Sequence, residues 1–208
     1  MSEYGYIPEA PTQSWGSNKG IFTPNDIYNL DLAGKFTTVG SLELISTQTV
    51  SGASSVAFDD VFGNYAIHFL TFTNMTRSGA ASNYAGMEFS ADGGSSFAGS
   101  YPQALEMAEG TTFYDIKTAN YGSVRLGQHG DTEPSNGYCY IYDFIYSSKY
   151  TFVTQQSTNS PNGGTNGMVY GGHCHTTAQA NNYFKIEAQT GSGITISGIF
   201  SLYGLRTK

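Results

Sequence analysis

The sequence predicts an all-β protein: an antiparallel jelly-roll-like β-sandwich with an extended N-terminal arm that contains one short helix. Three observations support this fold class. Only 12% of the 208 residues are charged, 26 are glycine, and 16 tyrosines and 13 phenylalanines are present. Disordered chains are charge-rich and aromatic-poor, and helical bundles need many Ala, Glu, Lys, Leu and Arg, so the composition excludes both classes. From about residue 40 onward, apolar residues alternate with polar ones as they do in half-buried strands.

Residues 1–38 differ from the rest and are predicted to form a docking arm. Pro8 and Pro11 remove backbone donors and keep the preceding residues extended. Thr23-Pro24-Asn25-Asp26 has the cap and first-turn residues of a helix start, which predicts a short helix near residues 24–32. Such an arm cannot fold alone, so we expect it to dock on its own domain or on another protein. Its candidate docking residues are Pro8, Pro11, Trp15, Ile21, Phe22, Ile27 and Tyr28.

Residues 39–208 are predicted to form the β-sandwich. Runs such as Val56-Ala57-Phe58 and Gly86-Met87-Glu88-Phe89 alternate with period two, and turn sequences such as Asp92-Gly93-Gly94 separate them. Roughly ten to twelve short strands separated by turns are typical of a sandwich or barrel. The last strand is predicted over Ile194 to Leu205.

One predicted strand, from Gly137 to Ser147, carries an aromatic stripe. Tyrosine alternates along it and Phe144 continues the pattern, while Cys139 and Ile141 lie on the opposite face. A stripe of this kind indicates a two-sided core or a subunit interface. Tyrosine faces also stack on sugar rings, so a glycan site formed with the loop 156–167 is the alternative. The interface or glycan candidates are Tyr138, Tyr140, Tyr142 and Tyr146.

The segment Gly171-Gly172-His173-Cys174-His175 is the one metal-like pattern. On a strand, His173 and His175 face one side and Cys174 the other. Two imidazoles fall short of a closed site, but three copies of the chain around an axis would bring six together, as in the metal-bearing histidine pairs of some phage fibre tips that this segment resembles. The other interpretation is that both histidines are ordinary hydrogen-bonded residues, and we expect no cofactor.

Charge and motifs exclude several functions. Nine basic and sixteen acidic residues give a net charge of −7 without a basic cluster, so no nucleic-acid partner is expected. The apolar runs are too short for a membrane helix, and the N-terminal residues lack a signal-peptide pattern. Cys139 and Cys174 are expected to be free thiols. No catalytic motif is present, and the scattered carboxylates Asp59, Asp60, Glu88, Asp115 and Asp143 are expected to be surface and turn residues rather than a glycosidase pair.

Four stretches carry a resemblance to a family of small structural proteins of tailed bacteriophages, especially those of aquatic bacteria. They are Pro11-Thr-Gln-Ser-Trp-Gly-Ser-Asn-Lys-Gly-Ile-Phe22, Ile45-Ser-Thr-Gln-Thr-Val-Ser-Gly-Ala53, Phe89-Ser-Ala-Asp-Gly-Gly-Ser-Ser-Phe97 and Gly198-Ile-Phe-Ser-Leu-Tyr-Gly-Leu205. The first is similar to the attachment segments of that family, the second to its sandwich opening, the third to its recurrent hairpin and the fourth to its closing strand.

The resemblance implies a virion component, assembled in the host cytoplasm, that is commonly trimeric and serves as head decoration, tail fibre or receptor-binding tip. We therefore expect a non-enzymatic protein whose arm docks on capsid or tail proteins. Its sandwich is expected to form a homotrimer and to face outward, where it contacts a host surface glycan if it serves in attachment. A lectin-like receptor-binding module is the alternative function, and a polysaccharide-degrading enzyme is the third.

Overall fold

A computed structural model describes residues 24–32, 42–60, 62–63, 65–78, 83–97, 99–129, 134–159, 167–189 and 194–205. These residues form one helix and twelve strands. The bounds are α1 Pro24–Leu32, β1 Leu42–Ala53, β2 Ser55–Asp59, β3 Ile67–Arg77, β4 Asn83–Ser90, β5 Gln103–Glu109, β6 Thr112–Thr118, β7 Val124–His129, β8 Ser135–Tyr142, β9 Thr151–Asn159, β10 Gly167–His175, β11 Tyr183–Ala188 and β12 Ile196–Leu205.

The strands form two antiparallel sheets, and the predicted all-β sandwich is confirmed. The larger sheet has the order β1-β12-β3-β8-β9-β10-β5-β6, and the smaller has the order β2-β11-β4-β7. The chain crosses repeatedly between the set β1, β12, β3, β8 and the set β2, β11, β4, β7. The first strand pairs with the last. This is the eight-stranded arrangement of a jelly roll.

Two inserted hairpins extend the larger sheet beyond β8. The hairpin β9–β10 pairs with β8, and the hairpin β5–β6 then pairs with β10. The pairing of β10 with β5 joins segments far apart in the sequence, from Gly167 opposite Glu109 to His173 opposite Gln103. The larger sheet is therefore twice as wide as the smaller one, with β1 and β6 at its edges.

A core of phenylalanine and aliphatic side chains lies between the two sheets. Phe89 and Phe184 come from the smaller sheet and pack around Phe144, with ring centroids 5.2 and 6.0 Å from it. Edge-to-face contacts of this kind add to the stabilisation from burial. The largest fully buried side chains are Tyr101, Phe58, Phe72, Phe89, Phe144, Phe184, Phe200, Leu70, Met75, Met87, Leu126 and Ile141.

Helix α1 is a separate unit from the sandwich. It has nine residues, with Pro24 at its first position and Asp26 in its first turn, as predicted. Ile27 and Tyr28 are exposed on it, while the other predicted docking residues of the arm, Pro8, Pro11, Trp15, Ile21 and Phe22, lie outside the described residues. The predicted boundary between residues 38 and 39 also falls outside them. In the described ranges, no helix is long and apolar enough to span a membrane.

The strand predicted from Gly137 to Ser147 is shorter than expected. Strand β8 ends at Tyr142 because Asp143 adopts a left-handed conformation, with φ of 59°. The Asp143 amide donates to the carbonyl of Ala66 at 3.0 Å, and the chain then turns. As a result Phe144 enters the core, and Tyr146 lies in the turn rather than on the strand.

Candidate functional site

The outer face of the larger sheet, which points away from the smaller sheet, carries a broad apolar and aromatic surface. We call it the aromatic face. Leu44 is 57% exposed and Phe152 is 48% exposed, which is unusual for side chains of this size. The aromatic face comprises Leu42, Leu44, Ile67, Phe69, Tyr138, Tyr140, Tyr142, Phe152, Tyr203 and Leu205.

Strand register brings these residues together in rows. Leu44 lies opposite Tyr203, Tyr203 opposite Phe69, and Phe69 opposite Tyr140. Phe69 is at the centre, with its ring centroid 4.7 Å from that of Tyr140, 5.6 Å from that of Tyr138 and 6.1 Å from that of Tyr203. Cross-strand aromatic pairs of this kind hold the rings in a fixed arrangement. The face is therefore a built surface and not a set of isolated exposed residues.

Two tyrosine hydroxyls of this face have hydrogen-bond partners on a neighbouring strand. Tyr138 donates to Oε1 of Gln156 at 2.9 Å, and the hydroxyls of Tyr142 and Thr154 lie 3.3 Å apart. These partners come from the neighbouring strand β9. The hydrogen bonds fix the outer ends of the rings, so a partner meets a pre-ordered surface.

The aromatic face is uncharged over six strands of the larger sheet. The described residues of β1, β12, β3, β8, β9 and β10 place no charged side chain on this side of the sheet. Charges begin only with Glu106 on β5 and with Asp115 and Lys117 on β6. Depletion of charge with enrichment of tyrosine and phenylalanine is the composition of an interface centre.

The outer face of the smaller sheet has the opposite character. Lys185 makes ion pairs with Glu187 at 2.9 Å and Glu88 at 3.5 Å. The Arg125 guanidinium lies over the ring of Tyr84, 3.9 Å from its centroid. Charges that are paired on their own sheet suit a surface in contact with water.

Two adjoining depressions lie on the outer face where β9, β10, β5 and β6 meet. One has a volume of about 420 Å³, and Gly172 and Ala104 form its floor beside Phe152. The other has a volume of about 220 Å³ and is bordered by Tyr170, Glu106 and Lys117. The Tyr170 hydroxyl donates to the Glu106 carboxylate. Small residues on β5 and β10 create these depressions because they leave the space that larger side chains would fill.

The predicted histidine pair is buried inside the sandwich. His173 and His175 do face the same side of β10, as expected, but both are inaccessible to solvent. The His175 ring stacks on Tyr101 with centroids 4.9 Å apart. Burial lowers the pKa of His173 to about 3. The imidazoles therefore cannot meet those of other copies at a symmetry axis, and the six-imidazole arrangement is wrong. No group of three or more His, Cys, Asp or Glu suited to a metal occurs among the described residues.

The remaining candidates are spread over the fold. Both cysteines are free thiols, as predicted, and burial raises the pKa of Cys139. Asp115, Asp143 and Glu88 each make an ion pair with a lysine. The centre of the loop proposed as a glycan site, residues 160–166, lies outside the described residues.

The structure therefore brings together Tyr138, Tyr140 and Tyr142 but places Tyr146 elsewhere. Sequence reasoning missed Phe69 and Tyr203, which complete the aromatic face. Both lie at outward-facing positions of strands with an alternating apolar and polar pattern. An aromatic residue on the otherwise polar side of such a strand was the signal that could have identified them. Comparison with known proteins identifies no match among family models, and none among curated proteins or solved structures.

Proposed function

We propose that this chain is a non-enzymatic structural protein of a tailed-bacteriophage particle, and that its sandwiches associate through the aromatic face. One observation carries the proposal: the outer face of the larger sheet is aromatic and uncharged across six strands, whereas the outer face of the smaller sheet carries paired charges. The resemblance of four sequence stretches to phage structural proteins supplies the biological context.

The occupant of the aromatic face is a further copy of the same chain. A second copy brings an equally uncharged surface, so the contact buries no unpaired charge. Tyrosine and phenylalanine contribute large contact areas and lose little side-chain entropy, which suits them to the centre of an interface. The resemblance implies three copies around an axis, and the proposed assembly is a homotrimer.

The first experiment places a charge in the proposed interface. Phe69→Glu puts a carboxylate at the centre of the aromatic face, and we expect the dissociation constant of the assembly to rise at least tenfold because the charge has no partner there. Ala57→Glu is the matched control, since Ala57 lies on the outer face of the smaller sheet opposite Lys185. Sedimentation and native mass spectrometry measure both variants. A wild-type protein that stays at 22.3 kDa at high concentration would contradict the proposed assembly.

The second experiment tests docking on the particle. The proposed arm carries Trp15, a large aromatic side chain suited to anchor a segment on a partner. Trp15→Ala in the full chain should lower the number of copies per particle, counted by labelling or imaging, and leave the sandwich folded. Unchanged copy number would overturn arm docking, and labelling that finds no copies on particles would overturn the virion assignment.

A lectin-like receptor-binding module is the second candidate function, and the two depressions favour it. Phe152 and Tyr170 offer aromatic surface, and Glu106 offers a carboxylate acceptor, which together match the apolar faces and hydroxyl groups of sugars. Phe152→Ala should abolish binding on a glycan array, while Ile199→Ala, an exposed residue of the same sheet on β12, should not. Equal loss of binding in both variants would count against this site. So would a wild-type protein that binds no glycan on the array.

A further inference from the structure

Strand β6, Thr112–Thr118, forms one edge of the larger sheet. Among the described strands it pairs only with β5. Its other side therefore presents backbone N–H and C=O groups, which are a template for a further strand. Many recognition contacts form by adding a strand to such an edge.

Strand β6 carries an exposed aromatic side chain on each face of the sheet. Phe113 is 73% exposed and Tyr114, which points to the opposite face, is 44% exposed. Ile116, the fifth of the seven residues, is half-buried. Edges that stay single are commonly short and charged, or carry proline, and β6 instead presents aromatic side chains on either side.

Acidic groups outnumber basic groups around the charged residues of β6. Asp115 and Lys117 point to the same face and form an ion pair of 3.3 Å between exposed groups. Asp115 also lies directly opposite Glu106 on β5. Like charges directly opposite in a sheet are unfavourable, so this corner has two carboxylates and one lysine. A second lysine placed next to Asp115 would add a favourable contact for this carboxylate.

We propose that β6 pairs antiparallel with β6 of a second copy of the chain, across a two-fold axis at Ile116. In this register Asp115 lies opposite the partner's Lys117 and Lys117 lies opposite the partner's Asp115. The two Ile116 side chains meet at the axis, and Tyr114 lies opposite the partner's Thr118. Each Asp115 then lies beside the partner's Lys117 as well as its own, so the number of opposite-charge contacts rises, and the exposed side chains of β6 gain neighbours.

The charges select this register. A centre one residue earlier places Asp115 opposite its own copy, and a centre one residue later does the same with Lys117. Mixed charges normally keep an edge single, but here the two signs complement each other across a two-fold axis, which is the symmetry of most protein dimers. This contact uses β6 and not the aromatic face, so it goes beyond the proposed function. It would join two single chains, or two assemblies formed through the aromatic face.

A charge exchange in the full chain tests the pairing. Asp115→Lys places lysine opposite the partner's Lys117, and Lys117→Asp places two carboxylates opposite each other. We expect either variant to halve the native mass and to raise the dissociation constant at least tenfold. The double variant Asp115→Lys with Lys117→Asp restores opposite charges and should restore the mass. Single variants with unchanged mass, or a double variant that stays dissociated, would overturn the proposal.

A cysteine series tests the register independently of charge. With Cys174→Ser as background, Ile116→Cys places two thiols opposite each other at the axis and should give a covalent dimer under mild oxidation. Thr118→Cys on the same strand faces the partner's Tyr114 and should give at least tenfold less covalent dimer. Equal yields, or none from Ile116→Cys with native circular dichroism, would overturn the register. Failure of the aromatic-face assembly would appear separately, because the β6 variants would then dissociate to 22.3 kDa and not to a larger unit.

Discussion

The two faces of the larger sheet use aromatic residues of different chemistry. The inner face and the core next to it contain phenylalanine, including Phe72, Phe144 and Phe200, all fully buried. The outer face contains mainly tyrosine, and Tyr138 and Tyr142 have hydroxyl partners on the neighbouring strand. A buried hydroxyl without a partner is costly, so phenylalanine suits the dry interior and tyrosine suits a surface that is solvated until a partner binds.

One interior tyrosine shows the same rule. Tyr101 is buried, and its hydroxyl accepts a hydrogen bond from the Phe89 amide at 2.8 Å. Burial raises its pKa, so the hydroxyl stays neutral. The inner aromatic residues are therefore fully buried within one chain, whereas the outer ones keep part of their surface in contact with solvent.

The largest effect is expected from a core phenylalanine, measured against an exposed tyrosine two residues away in the sequence. Phe144→Ala removes a fully buried ring and should lower the free energy of unfolding by about 3–5 kcal/mol. Tyr146→Ala, two residues away in the exposed turn, should change it by less than about 1 kcal/mol. Urea unfolding of both variants measures the difference. Equal losses would mean that Phe144 and Tyr146 do not differ in burial as described.

A second pair of variants compares the two faces at adjacent glycines of β10. Gly171 has φ of 143°, and a Cβ there would lie 2.3 Å from the Ala104 carbonyl oxygen. Gly171→Ala should therefore lower the free energy of unfolding by about 2–4 kcal/mol. At Gly172 the nearest atom is the Val153 carbonyl oxygen at 3.3 Å, so Gly172→Ala should cost less than about 1 kcal/mol. Thermal unfolding measures both, and a reversed order would contradict the close contact of β10 with β5.

Acid should destabilise the interior of the sandwich, where two histidines are buried. Burial lowers the pKa of His68 and lowers that of His173 to about 3. The unfolded chain takes up these protons near pH 6.5, while the folded chain does not, so the stabilisation is full above pH 6.5 and decreases as the pH falls below it. For His173 the loss continues toward pH 3, with a slope of about 1.4 kcal/mol per pH unit.

Urea unfolding between pH 7.5 and 4.5 measures this dependence. His173→Gln, which removes one of the two titrating groups, should have a slope smaller by about 1.4 kcal/mol per pH unit. A variant with the same slope as the wild type would show that His173 is not buried as a neutral group.

The smallest effect is expected from a single hydroxyl of the aromatic face. Tyr138→Phe removes the hydrogen bond to Gln156, which is exposed in one chain, and should change the free energy of unfolding by less than about 0.5 kcal/mol. Chemical unfolding of the dissociated protein measures it. A loss above about 2 kcal/mol would show that the outer tyrosines do stabilise the single chain.

Alternation, turn residues and the Thr-Pro-Asn-Asp signal predicted the sandwich and helix α1 correctly. The sequence analysis missed β5 because Gln103-Ala-Leu-Glu-Met-Ala-Glu consists largely of residues that favour helices, and only its pairing between β10 and β6 makes it a strand. It also missed β7, which is short and contains Gly127 at φ of 58°.

The candidate site was predicted in part. Tyr138, Tyr140 and Tyr142 follow from period two, but the end of β8 depends on the left-handed Asp143. Phe69 and Tyr203 join the tyrosines only through the order of strands, which local patterns do not contain. Burial of His173 and His175 likewise depends on which face of β10 meets the smaller sheet.

The pairing of β1 with β12 has a mechanical consequence. Leu42 at the start of β1 lies opposite Leu205 at the end of β12, so the chain enters and leaves the sandwich at neighbouring points. Force applied between these two residues acts across the strands and breaks the hydrogen bonds one after another, like a zipper. Force between Leu42 and Ile196, at the opposite end of β12, acts along the two strands and loads many hydrogen bonds together. Single-molecule pulling along these two directions should show the second to resist the higher force.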